Sequence, residues 1–138
     1  MTLYTYKAIV DRVVDGDTVD VDIDLGFGIW YNKQRIRLLG VDTPEYRTSD
    51  TEEKIFGTLA KEIVEGFCPV GKEIILQTEL DGKGKFGRIL GIIVSDDTNV
   101  NDYLIENHYA VAYEGQSKDD IEAAHLANYQ ILRENGTV

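Results

Sequence analysis

Two short segments of the chain bring together residue types that could act on a phosphate. The segment DGD places Asp15 and Asp17 around a glycine, and RLLGVDTPE runs from Arg37 through Asp42 to Glu45. Hydrolysis of a phosphodiester needs a hard divalent cation, a cationic donor for the phosphate oxygens and a base for the attacking water. Carboxylates from the two segments could hold the cation, the arginine could bind the phosphate, and Glu45 could act as the base.

Positive charge is concentrated near these segments although the chain is acidic overall. The net charge of −11 argues against a passive nucleic-acid coat protein, which would be basic. Residues 31–47 and 83–88 nevertheless hold seven of the 14 lysines and arginines. A local basic site on an acidic body could hold a phosphate. The candidate phosphate ligands are Arg37 and Arg88, and Arg35 and Lys83 are further candidate substrate contacts.

The length and composition indicate one domain over residues 1–138, with 43% hydrophobic residues. We expect a monomer. No apolar run approaches the roughly 20 residues of a membrane span, and the first residues lack the pattern of a secretory signal. The expected compartment is therefore the cytoplasm, or the exterior if a leader was removed. Cys68 is the only cysteine, which excludes an intramolecular disulfide and a zinc site built on several thiolates.

Five segments have the composition or alternation of β-strands. They cover residues 4–14, 18–25, 30–41, 73–80 and 87–94. The second alternates strictly, so its aspartates Asp20, Asp22 and Asp24 are expected on a solvated face. An EF-hand is excluded there, because Leu25 and Tyr31 occupy the positions of its required glycine and glutamate.

Three helices complete the pattern. A capping box from Ser49 to Glu52 and an apolar stripe ending at Phe67 predict the first, and the others are predicted over residues 100–107 and 117–134. Asn107 suits a left-handed stop of the second helix, and His125 is expected to be an ordinary helix residue. The order β-β-β-α-β-β-α-α predicts a mainly β (α+β) fold, an OB-fold barrel of five antiparallel strands with three helices.

The motifs together resemble a known family. DGDTV at 15–19, RLLGVDTPE at 37–45 and KFGR at 85–88 are similar to signature segments of the staphylococcal (thermonuclease) nuclease family. The resemblance continues through residues 100–101 and 112–113 and into the final helix. It implies an OB-fold nuclease that depends on Ca²⁺ and cuts DNA and RNA with little sequence specificity.

The resemblance also implies roles for individual residues. Asp17 and Asp42 would be cation ligands through their carboxylates, Thr43 would contribute its backbone carbonyl, and Asp15 would lie close by through water. Arg37 and Arg88 would hold the scissile phosphate, and Glu45 would be the general base. Tyr113 and Lys85 would contact the bound nucleotide. Tyr113 alone could also be a core aromatic with a solvated hydroxyl, and Arg35 alone reads more simply as an outward strand residue.

Two departures and two alternative functions remain. Phe86 and Gly115 stand where the family's type member has tyrosines, which puts tight nucleotide binding in doubt. A catalytically weak or inactive nucleic-acid-binding module is the main alternative, although such modules typically lose the acids or arginines that this chain retains. An acidic DNA mimic is the third reading, and the clustered basic residues argue against it.

Overall fold

The computed structural model describes residues 4–80 and 89–138. Its strands are β1 (Tyr4–Asp15), β2 (Thr18–Asp24), β3 (Trp30–Leu38), β4 (Val41–Asp42), β5 (Glu73–Leu80), β6 (Ile89–Ser95), β7 (Thr98–Asn99) and β8 (Val111–Ala112). Its helices are α1 (Thr51–Phe67), α2 (Val100–Glu106) and α3 (Lys118–Glu134). In this described part of the chain, no helix combines the length and apolar character that crossing a membrane requires.

Five long strands close into a barrel and confirm the predicted OB-fold of α+β class with three helices. The sheet order is β3-β2-β1-β5-β6, and β3 pairs with β6 to close the ring. The expectation that all strands are antiparallel was wrong, because the closing pair is parallel, with Ile36 opposite Ile89. A closed ring with an odd number of strands cannot alternate in direction throughout, so one pair must be parallel.

The core fills the barrel and extends beneath α1. Alternate residues of β2, namely Val19, Val21 and Ile23, are buried as their period of two predicts. Val64 of α1 packs against the same cluster. Asp20, expected to be solvated, is instead only 9% exposed. Arginines from both neighbouring strands cover it, which a single strand's pattern does not reveal.

The third predicted strand is broken before its end. It stops at Leu38, and Gly40 follows with a φ of 72°, a conformation that glycine adopts without a steric penalty. The chain then resumes as β4, where Asp42 pairs with Val111 of β8. The break therefore redirects the backbone just before Asp42 and Thr43.

The helix ends differ from the predicted ones in detail. Asp50, rather than Ser49, caps α1, and its Oδ1 accepts a hydrogen bond from the backbone N of Glu53 at 3.1 Å. Asn107 ends α2 with a φ of −100°, and the left-handed residue is the next one, His108, with a φ of 67°. The predicted start of α3 is confirmed, because Ser117 caps it.

Candidate active site

The turn between β1 and β2 carries the first pair of carboxylates. The backbone N of Asp17 donates to Oδ1 of Asp15 at 3.1 Å, which fixes the two residues relative to each other. A Cβ on Gly16 would lie 2.8 Å from Cβ of Ala60 and 3.0 Å from the side chain of Thr43. Glycine is therefore required for this turn to approach α1 and Thr43 so closely.

Arg37 lies across from this turn on β3, where it pairs in register with Thr18. Its NH1 donates to the carbonyls of Val41 at 2.6 Å and Leu38 at 3.2 Å. The same nitrogen lies 3.4 Å from Oδ2 of Asp17, a long ion pair. NH1 thus anchors the guanidinium beside Asp17. The other N–H groups of Arg37 make no hydrogen bond to the described residues.

Thr43 and Asp42 bring the second segment to the same place. The backbone N of Thr43 donates to Oδ2 of Asp17 at 3.4 Å, so the two segments contact each other directly. Asp42 faces a different partner, because its Oδ1 lies 2.7 Å from Nε2 of His125. Asp42 keeps 30% of its side chain exposed. Its carboxylate therefore remains open on one side.

Glu45 extends from a loop that α1 holds in place. Its backbone N donates to Oε2 of Glu53 at 3.1 Å. Gly57 of α1 lies beneath, where an added Cβ would come within 2.2 Å of the Glu45 carbonyl oxygen. The Glu45 side chain itself is exposed, as a residue that must meet substrate and water requires.

One cleft of about 860 Å³ joins most of these groups. The predicted site residues that line it are Arg37, Asp42, Thr43, Glu45 and Tyr113. Tyr113 is 47% exposed, which argues against the reading as a core aromatic. The cleft is also lined by Asp50, Glu52, Glu53 and Glu122, and Lys118 is a second basic residue in addition to Arg37. The cleft therefore brings a cationic donor and a candidate base together within a lining that is acidic overall.

Crowding of carboxyls shifts their pKa values in opposite directions. Burial first, and then the hydrogen bond and charge of Asp17, raise the pKa of Asp15 to about 7. Burial also acts to raise the pKa of Asp17, but its hydrogen bond with Asp15 and the charge of Arg37 outweigh that effect and lower it. Burial and the negative charges of Asp17 and Glu53 raise the pKa of Glu45. A raised pKa makes Glu45 a better proton acceptor near neutral pH.

The donors around Asp17 are of the type that a hard divalent cation prefers, since they are carboxylate and backbone oxygens. In the part of the chain that the structure describes, no three His, Cys, Asp or Glu side chains cluster tightly enough to hold a metal ion by themselves. A cation here would therefore depend on Asp17, Asp42, a backbone oxygen, water and substrate. The pKa of Asp15 is raised first by burial and then by its interactions with Asp17. A cation would offset the negative charge of this pair, so the donor chemistry fits such an ion.

The remaining predicted contacts are not all brought to the cleft. Arg35 points to Asp20, with its Nε 2.9 Å from Oδ1 and its NH2 3.2 Å from Oδ2. Arg12 binds the same carboxylate from β1 at 3.2 Å. Arg35 is thus engaged in an ion-pair cluster on the outer face of the barrel. Lys83, Lys85 and Arg88 lie outside the described residues, so their roles stay predictions.

His125 is the residue that the sequence did not reveal. It is only 8% exposed and lies on the buried side of α3 with Tyr129 and Leu132, whereas the apolar Ile131 of the same helix is 37% exposed. His125 precedes Tyr129 and Leu132 by four and seven residues, which is the spacing of residues on one helix face. This spacing could have predicted that His125 is buried. An imidazole on the inward face of a helix next to a predicted site is a candidate for a functional contact.

Comparisons with known proteins agree with the motifs. A family profile described as "Staphylococcal nuclease homologue" matches residues 35–134. The chain is 33% identical over 114 residues to Endonuclease YhcR of Bacillus subtilis (strain 168), a match that covers 78% of this chain and 9% of that protein. It is 31% identical over 104 residues to the Thermonuclease of Staphylococcus intermedius, covering 75% of this chain and 58% of that protein.

A third relative gives the same result, and it shows how much of each protein is shared. The Thermonuclease of Staphylococcus hyicus is 31% identical over 108 residues, which cover 78% of this chain and 59% of that protein. The chain thus spans less than two thirds of the length of these relatives, and only a small part of the Bacillus endonuclease. The residues matched by the family profile, 35–134, include those that line the cleft.

Proposed function

Because the chain belongs to the staphylococcal nuclease homologue family, we propose that it is a metal-dependent nuclease. It hydrolyses phosphodiester bonds of DNA and RNA with little sequence specificity, and Ca²⁺ is its cofactor. The observation that carries the proposal is the arrangement around Arg37. The guanidinium is anchored beside Asp17, and it lines one cleft with Asp42 and Glu45.

The carboxylates of Asp17 and Asp42 and the carbonyl of Thr43 would hold the cation, with Asp15 close by through water. When bound, Ca²⁺ would neutralise charge on the non-bridging phosphate oxygens and orient the substrate. Without a cation, the carboxylates of this site repel each other, and the same carboxylates would bind the ion. Ca²⁺ is a hard cation that prefers oxygen ligands.

Arg37 and Glu45 would act directly on the substrate. The guanidinium of Arg37 donates to the phosphate oxygens and stabilises the charge that grows on them as the water oxygen forms its new bond to phosphorus. Glu45 accepts the proton of that water, helped by its raised pKa. The bond from phosphorus to the leaving oxygen then breaks, and that oxygen takes up a proton. Arg88 is proposed as the second phosphate ligand, and Tyr113 and Lys85 as nucleotide contacts.

The direct test is digestion of plasmid, single-stranded DNA and RNA with Ca²⁺, Mg²⁺ or EDTA. We expect all three substrates to be cut with Ca²⁺ and none with EDTA. The Asp42→Ala variant should lose the activity, whereas Asp22→Ala, a matched aspartate on β2 away from the cleft lining, should keep it. Binding of the nucleic acids without cleavage under every condition would contradict the proposal and favour the inactive binding module.

Metal binding can be measured separately from cleavage. A ligand that binds only the folded state stabilises it, by about 2.7 kcal/mol at 100 times its Kd. Ca²⁺ should therefore raise the Tm of the wild type, and it should raise that of Asp42→Ala much less. An equal rise in both proteins would show that the ion binds elsewhere.

A further inference from the structure

The imidazole of His125 is held rigidly at the edge of the cleft. It lies one helical turn before Tyr129 on α3, and the two rings stack with centroids 6.2 Å apart. Tyr129 in turn stacks on Phe56 of α1, with centroids 4.0 Å apart and planes 8° from parallel. Asn128 ties the same helical turn to the carbonyl of Ala110 at 3.2 Å. The ring therefore has little freedom to rotate away from Asp42.

The contact with Asp42 identifies which ring nitrogen carries hydrogen. A carboxylate oxygen only accepts, so the 2.7 Å separation between Nε2 of His125 and Oδ1 of Asp42 requires an N–H on Nε2. Nδ1 is buried and has no hydrogen-bond partner among the described residues. A bare lone pair at Nδ1 avoids an unsatisfied buried N–H, which native proteins rarely tolerate. The arrangement is therefore an Nε2–H donor aimed at Asp42.

We propose that His125 is a positioning residue of the cation site. Its Nε2–H fixes Oδ1 of Asp42, and so leaves the second carboxylate oxygen oriented for the cation. This inference rests on the proposed function, because it takes Asp42 to be a cation ligand. Without this hydrogen bond, an aspartate with 30% of its side chain exposed would rotate. The entropy lost when the cation fixed it would then weaken cation binding. A hydrogen bond behind a metal ligand is a general means of setting ligand orientation.

A direct role as a metal ligand fits the structure less well. To bind a cation, Nε2 would have to give up its hydrogen and its bond to Asp42. The hydrogen would move to Nδ1, where the described residues provide no acceptor, whereas a metal-bound histidine normally donates its other N–H to a partner. Ca²⁺ also prefers oxygen to imidazole nitrogen.

Two substitutions at the same position separate the donor from its bulk. In His125→Gln, the amide Nε2 is the same number of bonds from Cβ as the imidazole Nε2, so it can donate to Asp42. In His125→Asn, the amide nitrogen is one bond shorter and reaches only the position of Nδ1. His108→Asn is the control, since asparagine tolerates the left-handed conformation found at His108.

The measurement is the Kd for Ca²⁺ by titration calorimetry, with the Tm in EDTA as the check on folding. We expect His125→Asn and His125→Ala to weaken Ca²⁺ binding by about 10- to 100-fold. We expect the Kd of His125→Gln to stay within about threefold of the wild type, because glutamine retains an N–H donor for Asp42. The Kd of His108→Asn should also stay within about threefold, because His108 does not contact the proposed cation ligands. Rescue by glutamine but not by asparagine would not arise from loss of packing alone.

Three results would overturn the inference. They are an unchanged Kd in folded His125→Asn and His125→Ala, an equal loss in His125→Gln and His125→Asn, and no Ca²⁺ binding by the wild type. Cleavage of single-stranded DNA by the wild type is measured in parallel and tests the proposed function independently. Cleavage with an unchanged Kd would reject only the role of His125, and the predicted Kd pattern without cleavage would reject only the nuclease.

Discussion

Two arginines of β3 stand two residues apart and meet different aspartates. Arg35 faces Asp20 within β2, and Arg37 faces Asp17 in the turn before it. Arg35 makes two hydrogen bonds to Asp20, and Arg12 contacts the same carboxylate from the other side. Arg37 lies 3.4 Å from Asp17, and its NH1 donates hydrogen bonds to two backbone carbonyls. The first cluster is complete, whereas the second leaves charge without a close partner in the described structure.

The pKa values show the same difference. The hydrogen bond from Arg35 lowers the pKa of Asp20, and Arg35 and Arg12 together balance its charge. Around Arg37, burial and then the neighbouring Asp17 raise the pKa of Asp15 to about 7. A satisfied ion pair stabilises the fold, whereas carboxylates that crowd beside one arginine lower the free energy of unfolding because they repel each other. Such crowding is typical of sites that bind a cation or a substrate.

The largest effect is expected at Glu45, which belongs to the crowded cluster. Replacing it by glutamine removes the proton acceptor, and loss of a general base lowers rates by about 10²- to 10⁴-fold. Because the side chain is exposed, the Tm should stay within about 2 °C of the wild type. Initial rates on single-stranded DNA with saturating Ca²⁺ provide the measurement. Glu65→Gln, an exposed carboxylate of α1, is the control and should cut at the wild-type rate.

A smaller effect is expected on the free energy of unfolding, which should change in opposite directions for variants of the Asp20 cluster and of the Asp15–Asp17 cluster. In EDTA at about pH 8, Asp20→Asn should lower the free energy of unfolding by about 1 kcal/mol, because two partly exposed arginines lose their partner. Asp15→Asn should raise it by up to about 1 kcal/mol, since it removes a partly buried charge and its repulsion with Asp17, effects that solvent partly screens. Urea denaturation measures both variants. A loss of stability in both would show that the two clusters do not differ in this way.

The smallest effect is a dependence on pH. The pKa of Asp15 rises from 3.8 to about 7 on folding, so the folded state holds this proton more tightly than the unfolded state. Its contribution is therefore fully present below pH 3.8 and is lost as the pH rises through 7. Asp17 and Asp20, whose pKa values are lowered, act in the opposite sense and only at more acidic pH.

In EDTA, the Tm of the wild type should consequently fall between about pH 4.5 and pH 7.5, and Asp15→Asn should have a flatter profile. The two proteins should converge at the acidic end, where Asp15 is protonated. Thermal melts across this range test the prediction. Parallel profiles would mean that Asp15 does not take up a proton on folding.

The sequence predicted what depends on local pattern. The alternation in β2, the apolar stripe of α1 and the order of the elements correctly predicted the five-stranded barrel. The structure places the backbone N of Thr43 3.4 Å from Oδ2 of Asp17, whereas the roles of these two residues as cation ligands stay predictions. The barrel could be predicted because it follows from the hydrophobic period of each element and from the order of the elements along the chain.

What the sequence did not reveal depends on packing between distant segments. His125 meets Asp42 across 83 residues of chain, and a hydrophobic period cannot show which polar partner an inward imidazole will find. Asp20 is buried because Arg12 and Arg35 arrive from separate strands. The parallel pairing of β3 with β6 follows only once the ring is closed.

The most direct test of the difference between the clusters is a paired rate measurement on Arg37→Lys and Arg35→Lys. Both changes keep the charge and remove the two-pronged guanidinium. Initial rates on single-stranded DNA with saturating Ca²⁺ should fall by about 10²- to 10³-fold for Arg37→Lys, as for loss of a preorganised donor. Arg35→Lys should stay within about threefold of the wild type, as expected for a residue outside the reaction. Equal rates in the two folded variants would contradict the assignment of Arg37 to catalysis and of Arg35 to the fold.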